Sequence, residues 1–132
     1  MTVAQLERYA TYQKRFVAEA VTLLKPGTGI LTYSTCTIVV AENEGMVRHI
    51  LDQYPCMELV PVVDASEERS MKNFGCPGLA NCGLTDNQRR CVRRFGYPSS
   101  SSPVQDDTIG FFVAKFRKTR SCNNDTDNKD NV

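Results

Sequence analysis

Helical and extended periods alternate along the first half of the chain, and that alternation limits the folds open to it. Leu6, Tyr9, Phe16, Val17, Ala20, Leu23 and Leu24 recur at three- and four-residue spacing, the mark of one helix face. Lys25-Pro26-Gly27-Thr28-Gly29 ends that helix, because proline and glycine continue one poorly. Ile30 to Tyr33 reads as a buried strand, and Ser34 to Thr37 as a polar break directly after it. Glu42 and Glu44 open a second helix, where acidic groups favour the dipole. Met46, Val47, Ile50, Leu51 and Tyr54 give it an apolar face, and Pro55 stops it. Leu59 to Val63 reads as a short strand that Pro61 places near a sheet edge.

No period survives from Asp64 to Asp107, a stretch containing glycine, proline and the serine run Ser99 to Ser102. It reads as a long excursion with one short helix at Thr85 to Val92. Thr108 to Phe116 is a strong strand, and the polar residues after it are expected to form a disordered tail. Helices alternating with strands predict an α/β fold with a mostly parallel sheet. Three strands are few for such a sheet, and a parallel sheet needs both faces covered. The chain therefore reads as an incomplete portion of a larger sheet.

At 132 residues and 41% apolar content, the chain has enough material for a packed core. Its net charge of +1 gives no global attraction for nucleic acid, so any such partner would be recognised locally. No stretch approaches the roughly 20 apolar residues that span a bilayer, and the first residues carry no secretory pattern. The cysteines are accordingly expected to be reduced thiols in the cytosol or nucleus.

Cys36 stands just past the C-terminal end of the first strand, the place where open α/β sheets bind ligands. A helix start follows within several residues, and backbone N–H groups there favour a thiolate. The competing reading is a small buried hydrophobe. Cys76, Cys82 and Cys91 lie six and nine residues apart, which does not match paired zinc-ligand spacing, so no metal is expected. His49 falls within the second helix and is read as exposed or capping. Arg89, Arg90, Arg93 and Arg94, with Phe95 and Tyr97, form a basic-aromatic cluster. Guanidinium groups bind phosphates and rings stack on bases, although a solvated charged face would look the same.

The run Leu24-Lys25-Pro26-Gly27-Thr28-Gly29-Ile30-Leu31-Thr32-Tyr33-Ser34-Thr35-Cys36-Thr37, followed by Glu42-Asn43-Glu44, resembles the Sun-type, RsmB-like RNA cytosine-5 methyltransferases. Gly110-Phe111-Phe112-Val113-Ala114-Lys115 is similar to that family's last strand. The family has aspartate before the glycine; here Ile109 stands there, preceded by Asp106-Asp107-Thr108. That variant looks closest to the branch that carries a PUA domain and acts on transfer RNA. The resemblance covers residues 4–118, with 64–107 loosely matched.

The resemblance implies that residues 1–118 are the C-terminal part of a Rossmann-like catalytic domain that uses S-adenosylmethionine. Within it, 64–107 would be a long loop or insertion, and 119–132 a disordered polar tail. It implies that Cys36 is the nucleophile, that the substrate is RNA, in particular transfer RNA, and that Arg89, Arg90, Arg93 and Arg94 lie near it. The family's glycine-rich donor loop and its second cysteine, in Asp-Ala-Pro-Cys, have no counterpart before Cys36. Tyr54-Pro55-Cys56 lacks the aspartate and follows the nucleophile, so Cys56 is read as structural. The chain alone is therefore expected to be inactive, with its donor motifs upstream. The opening Met1 fits a truncated gene product or alternative transcript.

Overall fold

A computed structural model describes residues 2–67, 74–96 and 110–122. The elements are helix α1 (Val3–Leu23), strand β1 (Ile30–Thr35), a short 3-10 turn (Val40–Glu42), helix α2 (Glu44–Gln53), strand β2 (Met57–Val60), helix α3 (Asp86–Cys91), and strands β3 (Arg93–Phe95) and β4 (Phe111–Lys118). Both longer segments of predicted helix are present. Reciprocal Thr2–Gln5 hydrogen bonds open α1 as a capping box. Gly27 takes φ +84, a conformation that glycine reaches without strain, and turns the chain from α1 towards β1.

The architecture is mixed α/β, as the alternation predicts, but every ladder among the described residues is antiparallel. This corrects the expectation of a mostly parallel sheet. The strand order is β1-β4-β2. β1 and β2 both run antiparallel to β4 and hence parallel to each other, joined through α2 as the pattern implies. β4 returns between them and reverses each pairing. β1 meets Phe112 to Arg117 of β4 along one edge. Along the other, β2 meets Lys115 to Lys118 and β3 meets Phe111 to Val113.

Alternation in β4 sends Phe112, Ala114, Phe116 and Lys118 to one face, where all are buried. They join Val17 and Val21 of α1 and Met46, Val47 and Ile50 of α2 in the core. Lys118 is sustained there because its Nζ donates to the Val21 carbonyl at 2.8 Å. β1 is not the buried strand predicted: its residues alternate exposed and half-buried, because it pairs on one edge and is covered on one face. The predicted α1 face is also only partly covered. Val17 and Val21 are buried, while Phe16 and Leu23 are 74% and 84% exposed.

α3 lies within the predicted short helix, opened by a Thr85–Gln88 capping box. β3 has no counterpart in the sequence reading. Thr108 and Ile109 of the predicted last strand, and the serine run, lie outside the described residues. So does most of the predicted tail. Its first residues are held in place: the Thr119 N–H donates to the Cys56 carbonyl at 2.8 Å. Cys56 and Cys122 form a disulfide with their Cα atoms 5.3 Å apart, which corrects the expectation of uniformly reduced thiols. The bridge closes over 66 positions of sequence. Non-reducing peptide mapping should return a Cys56–Cys122 linked pair, and reductant should lower unfolding stability by about 2–4 kcal/mol. Two unlinked peptides would contradict this pairing.

Candidate active site

Cys36 is the first residue past β1, and it is exposed. It borders a cleft of about 570 Å³ walled by Leu6 and Tyr9 of α1, Thr37 to Val39, Glu42 and Gly110. Gly110 permits the close approach of β4 to this loop: a Cβ there would meet Ile38 Cγ2 at 2.7 Å.

The segment Glu42-Asn43-Glu44 is buried throughout although every residue in it is polar. Each makes a different connection. The Glu42 carbonyl accepts from the Tyr33 hydroxyl at 2.5 Å, and its carboxylate accepts from Gln13 Nε2 at 3.3 Å. Burial, then the nearby Glu42 charge, push the Tyr33 phenol well above the ordinary tyrosine value, so it remains a donor. Asn43 Oδ1 accepts from the Thr35 hydroxyl at 2.5 Å, and its Nδ2 donates to the Thr37 carbonyl at 2.8 Å. The Thr37 hydroxyl accepts in turn from the Val39 N–H at 3.1 Å.

Glu44 accepts from Arg94 at both oxygens, at 2.6 and 2.5 Å, and from the Leu79 N–H at 2.8 Å. Burial pushes its carboxyl upwards, but the Arg94 and backbone hydrogen bonds outweigh that, and the net direction is below the ordinary carboxylate value. Arg94 Nη1 also donates to the Ile38 carbonyl at 3.2 Å, and its guanidinium carbon lies 5.8 Å from the centre of the Phe112 ring. Helix-start placement was the sequence reading of both acids. The structure adds fixed, buried partners that spacing along one helix does not reveal.

The predicted arginine cluster does not form one surface. Arg94 is 3% exposed and committed to Glu44, which removes it from any RNA-facing set. β3 places it on the opposite face from Arg93 and Phe95. Arg93 is half-buried and donates to the Arg90 and Val92 carbonyls. Arg89 donates to the Gly78 carbonyl at 2.8 Å and pairs with Asp86 at 2.9 Å. Arg90 is exposed on α3. Phe95 packs between Phe74, edge-on with centroids 5.0 Å apart, and Phe111, tilted at 6.1 Å. Tyr97 lies outside the described residues. His49 packs edge-on to Tyr54, and burial and then Lys14 lower its imidazole value, partly offset by Asp52. No group of side chains suited to a metal occurs among the described residues, and no helix among them is long and apolar enough to cross a membrane.

The profile of the family described as 16S rRNA methyltransferase RsmB/F matches residues 2–117. The chain belongs to this family. It is 35% identical over 140 aligned positions to the mouse tRNA (cytosine(72)-C(5))-methyltransferase NSUN6, covering 91% of this chain and 27% of that protein. It is 38% identical to the Arabidopsis thaliana rRNA (cytosine-C(5))-methyltransferase NOP2C, covering 87% and 18%. A crystal structure of a methyltransferase homolog protein from Pyrococcus horikoshii superposes with a TM-score of 0.68 at 31% identity, covering 89% of this chain and 33% of that one. The chain thus spans about a quarter of the length of the mouse relative. These neighbours agree with a partial Rossmann-like methyltransferase domain.

The family implies S-adenosylmethionine as methyl donor. The described residues do not themselves fit it. No glycine-rich loop links a strand end to a helix among them, and the one carboxylate lining the Cys36 cleft, Glu42, is engaged by Gln13. Sequence reasoning missed the roles of Asn43 and Arg94. A signal existed for Asn43, a polar trio at the start of an otherwise apolar helix face, but none for Arg94, which is the middle residue of a three-residue strand.

Glu44 gives a pH-dependent test. Its folded-state value lies below the unfolded one, so its contribution is complete above the unfolded value, about 4.3, and is lost as pH falls through the folded value. Arg94→Gln leaves the carboxylate buried without its cation and should cost about 3–5 kcal/mol at neutral pH. Protonation relieves that charge, so the deficit measured by urea unfolding should shrink in acid. A deficit constant with pH would mean that the pair does not carry the effect.

Proposed function

We propose that this chain is the nucleophile-bearing portion of an RNA cytosine-5 methyltransferase, acting on transfer RNA, with Cys36 as the attacking group. The observation that carries this reading is Cys36 itself, exposed beside a cleft at a strand end, on a loop tied down at both sides. The transfer-RNA assignment is supported by NSUN6 and by a Pyrococcus horikoshii tRNA (cytosine(72)-C(5))-methyltransferase that is 36% identical over 119 positions.

Carbon 5 of cytosine is a poor nucleophile. A thiolate adding to carbon 6 makes carbon 5 enamine-like, which is covalent catalysis dividing one hard step into easier ones. Carbon 5 then accepts a methyl group. Loss of its proton restores the double bond and expels the Cys36 thiolate, so the thiol is regenerated. S-adenosylmethionine supplies an electrophilic methyl in this family, and no step at the donor is assigned to the residues described. The exposed Arg90, with Arg89 and Arg93 beside it, is proposed to meet RNA phosphates; Arg94 acts inside the fold. A cytosolic or nuclear setting belongs to the same reading, in which the exposed Cys36 stays reduced while Cys56 and Cys122, with Cα atoms 5.3 Å apart, keep their bridge.

A second reading, that the chain by itself binds RNA or a partner without catalysis, is favoured by the exposed Phe16 and Leu23 and by the lack of a donor cradle in the described residues. Calorimetry on the chain with S-adenosylmethionine should show no saturable heat; micromolar binding would contradict this. In a complete enzyme carrying this segment, Cys36→Ala should abolish methyl transfer to transfer RNA, while Cys82→Ala retains most of it. Near wild-type activity of Cys36→Ala would refute the assignment. Replacing Arg89, Arg90 and Arg93 with Gln should flatten the fall of RNA affinity with salt, since fewer counterions are released. An unchanged slope would rule out phosphate contacts there.

A further inference from the structure

We infer that Asn43 is a positioning residue for Cys36, holding the residues on both sides of the thiol, one by its hydroxyl and one by its main chain, with one side-chain amide. This rests on the reading of Cys36 as nucleophile. Asn43 has no solvent exposure. Its oxygen takes the Thr35 hydroxyl and its nitrogen reaches the Thr37 carbonyl, so the two arms grip the residues immediately before and after Cys36. The amide stands on a rigid base. The Asn43 N–H donates to the Val40 carbonyl, and its carbonyl accepts from Met46 and Val47, each at 3.1 Å. Met46, Val47 and Ile50 beyond it are wholly buried. The loop beside the cleft is thereby pinned to the helix that anchors the core.

An amide can do this where a carboxylate or aliphatic group cannot, because the Thr37 carbonyl requires a donor, and the amide oxygen is then left to accept from the Thr35 hydroxyl. The arms also differ in what they ask of their partners. Thr35 takes part through its hydroxyl, so serine suffices and valine does not. Thr37 takes part through its main chain. Displacement of a nucleophile by about 1 Å costs on the order of 100-fold in rate, which is the consequence such a clamp prevents.

The test reads the thiol directly and needs neither RNA nor donor. Iodoacetamide alkylation of Cys36 is followed by mass spectrometry in the 132-residue chain, well below its unfolding transition. It is normalised to Cys76, another exposed free thiol. Asn43→Ala should change the Cys36:Cys76 ratio about fivefold, the scale set by a lost buried hydrogen bond, with faster amide exchange at 35–38. Thr35→Val should move the ratio in the same direction, and Thr35→Ser should restore it to the wild-type value. A ratio unchanged in Asn43→Ala despite a lower unfolding temperature would make Asn43 a packing residue only and overturn the inference. Equal shifts in Thr35→Val and Thr35→Ser would also overturn it. Should Asn43→Ala fail to fold, the Thr35 pair decides alone. Failure here leaves the Cys36→Ala methyl-transfer assay untouched, so the two readings fail separately.

Discussion

Glu44 has no solvent contact, and a bare carboxylate in that position would cost several kcal/mol of lost hydration. Its charge is sustained by the forked guanidinium of Arg94, fifty positions away in sequence, and by the Leu79 N–H. That requirement pulls β3 against the start of α2 and brings the 78–79 segment with it. The same guanidinium then reaches the Ile38 carbonyl, so the group that neutralises the core acid also holds the far side of the Cys36 loop. A planar fork serves two carboxylate oxygens and a carbonyl at once; an ammonium offers no such geometry.

The parts of this arrangement that were legible in the sequence are the local ones. The α1 and α2 helices are marked by period and by Pro26 and Pro55. β1 is marked by a hydrophobic run ending in a polar break, and Cys36 by its place after that run. The position of β4 was not legible. Helix–strand alternation implies that β1 and β2 are parallel, and in direction they are, but nothing local says that a later strand will enter between them in reverse. The misreading of Arg94 has a similar cause. In Arg93-Arg94-Phe95 the side chains alternate across a strand of three residues, too short for a period of two to show. Adjacent arginines therefore look equivalent, while one faces the core acid and the other does not.

The insertion of β4 also explains why so much chemistry converges on one end of the sheet. Its first residues pair with β1 at Thr35↔Phe112 and with β3 at Phe95↔Phe111. Gly110, just before them, comes against Ile38. The thiol loop, the arginine strand and the Phe74-Phe95-Phe111 rings are thus brought to one end of the sheet by a single strand, β4, which supplies Phe111 itself and is distant in sequence from the thiol loop.

What surrounds this edge is less complete than what forms it. The hydrogen bonds that fix the Cys36 loop come from Asn43 and Arg94, and both lie in buried surroundings inside the chain. The Ile30, Thr32 and Ser34 face of β1 and the Phe16 and Leu23 side of α1 are exposed. The two facts separate the demands on a methyltransferase built from this segment. Placement of the nucleophile is an internal property of the α2 start and its polar trio. Under the proposed function, methyl delivery is a separate demand, and it is not assigned to any of the described residues.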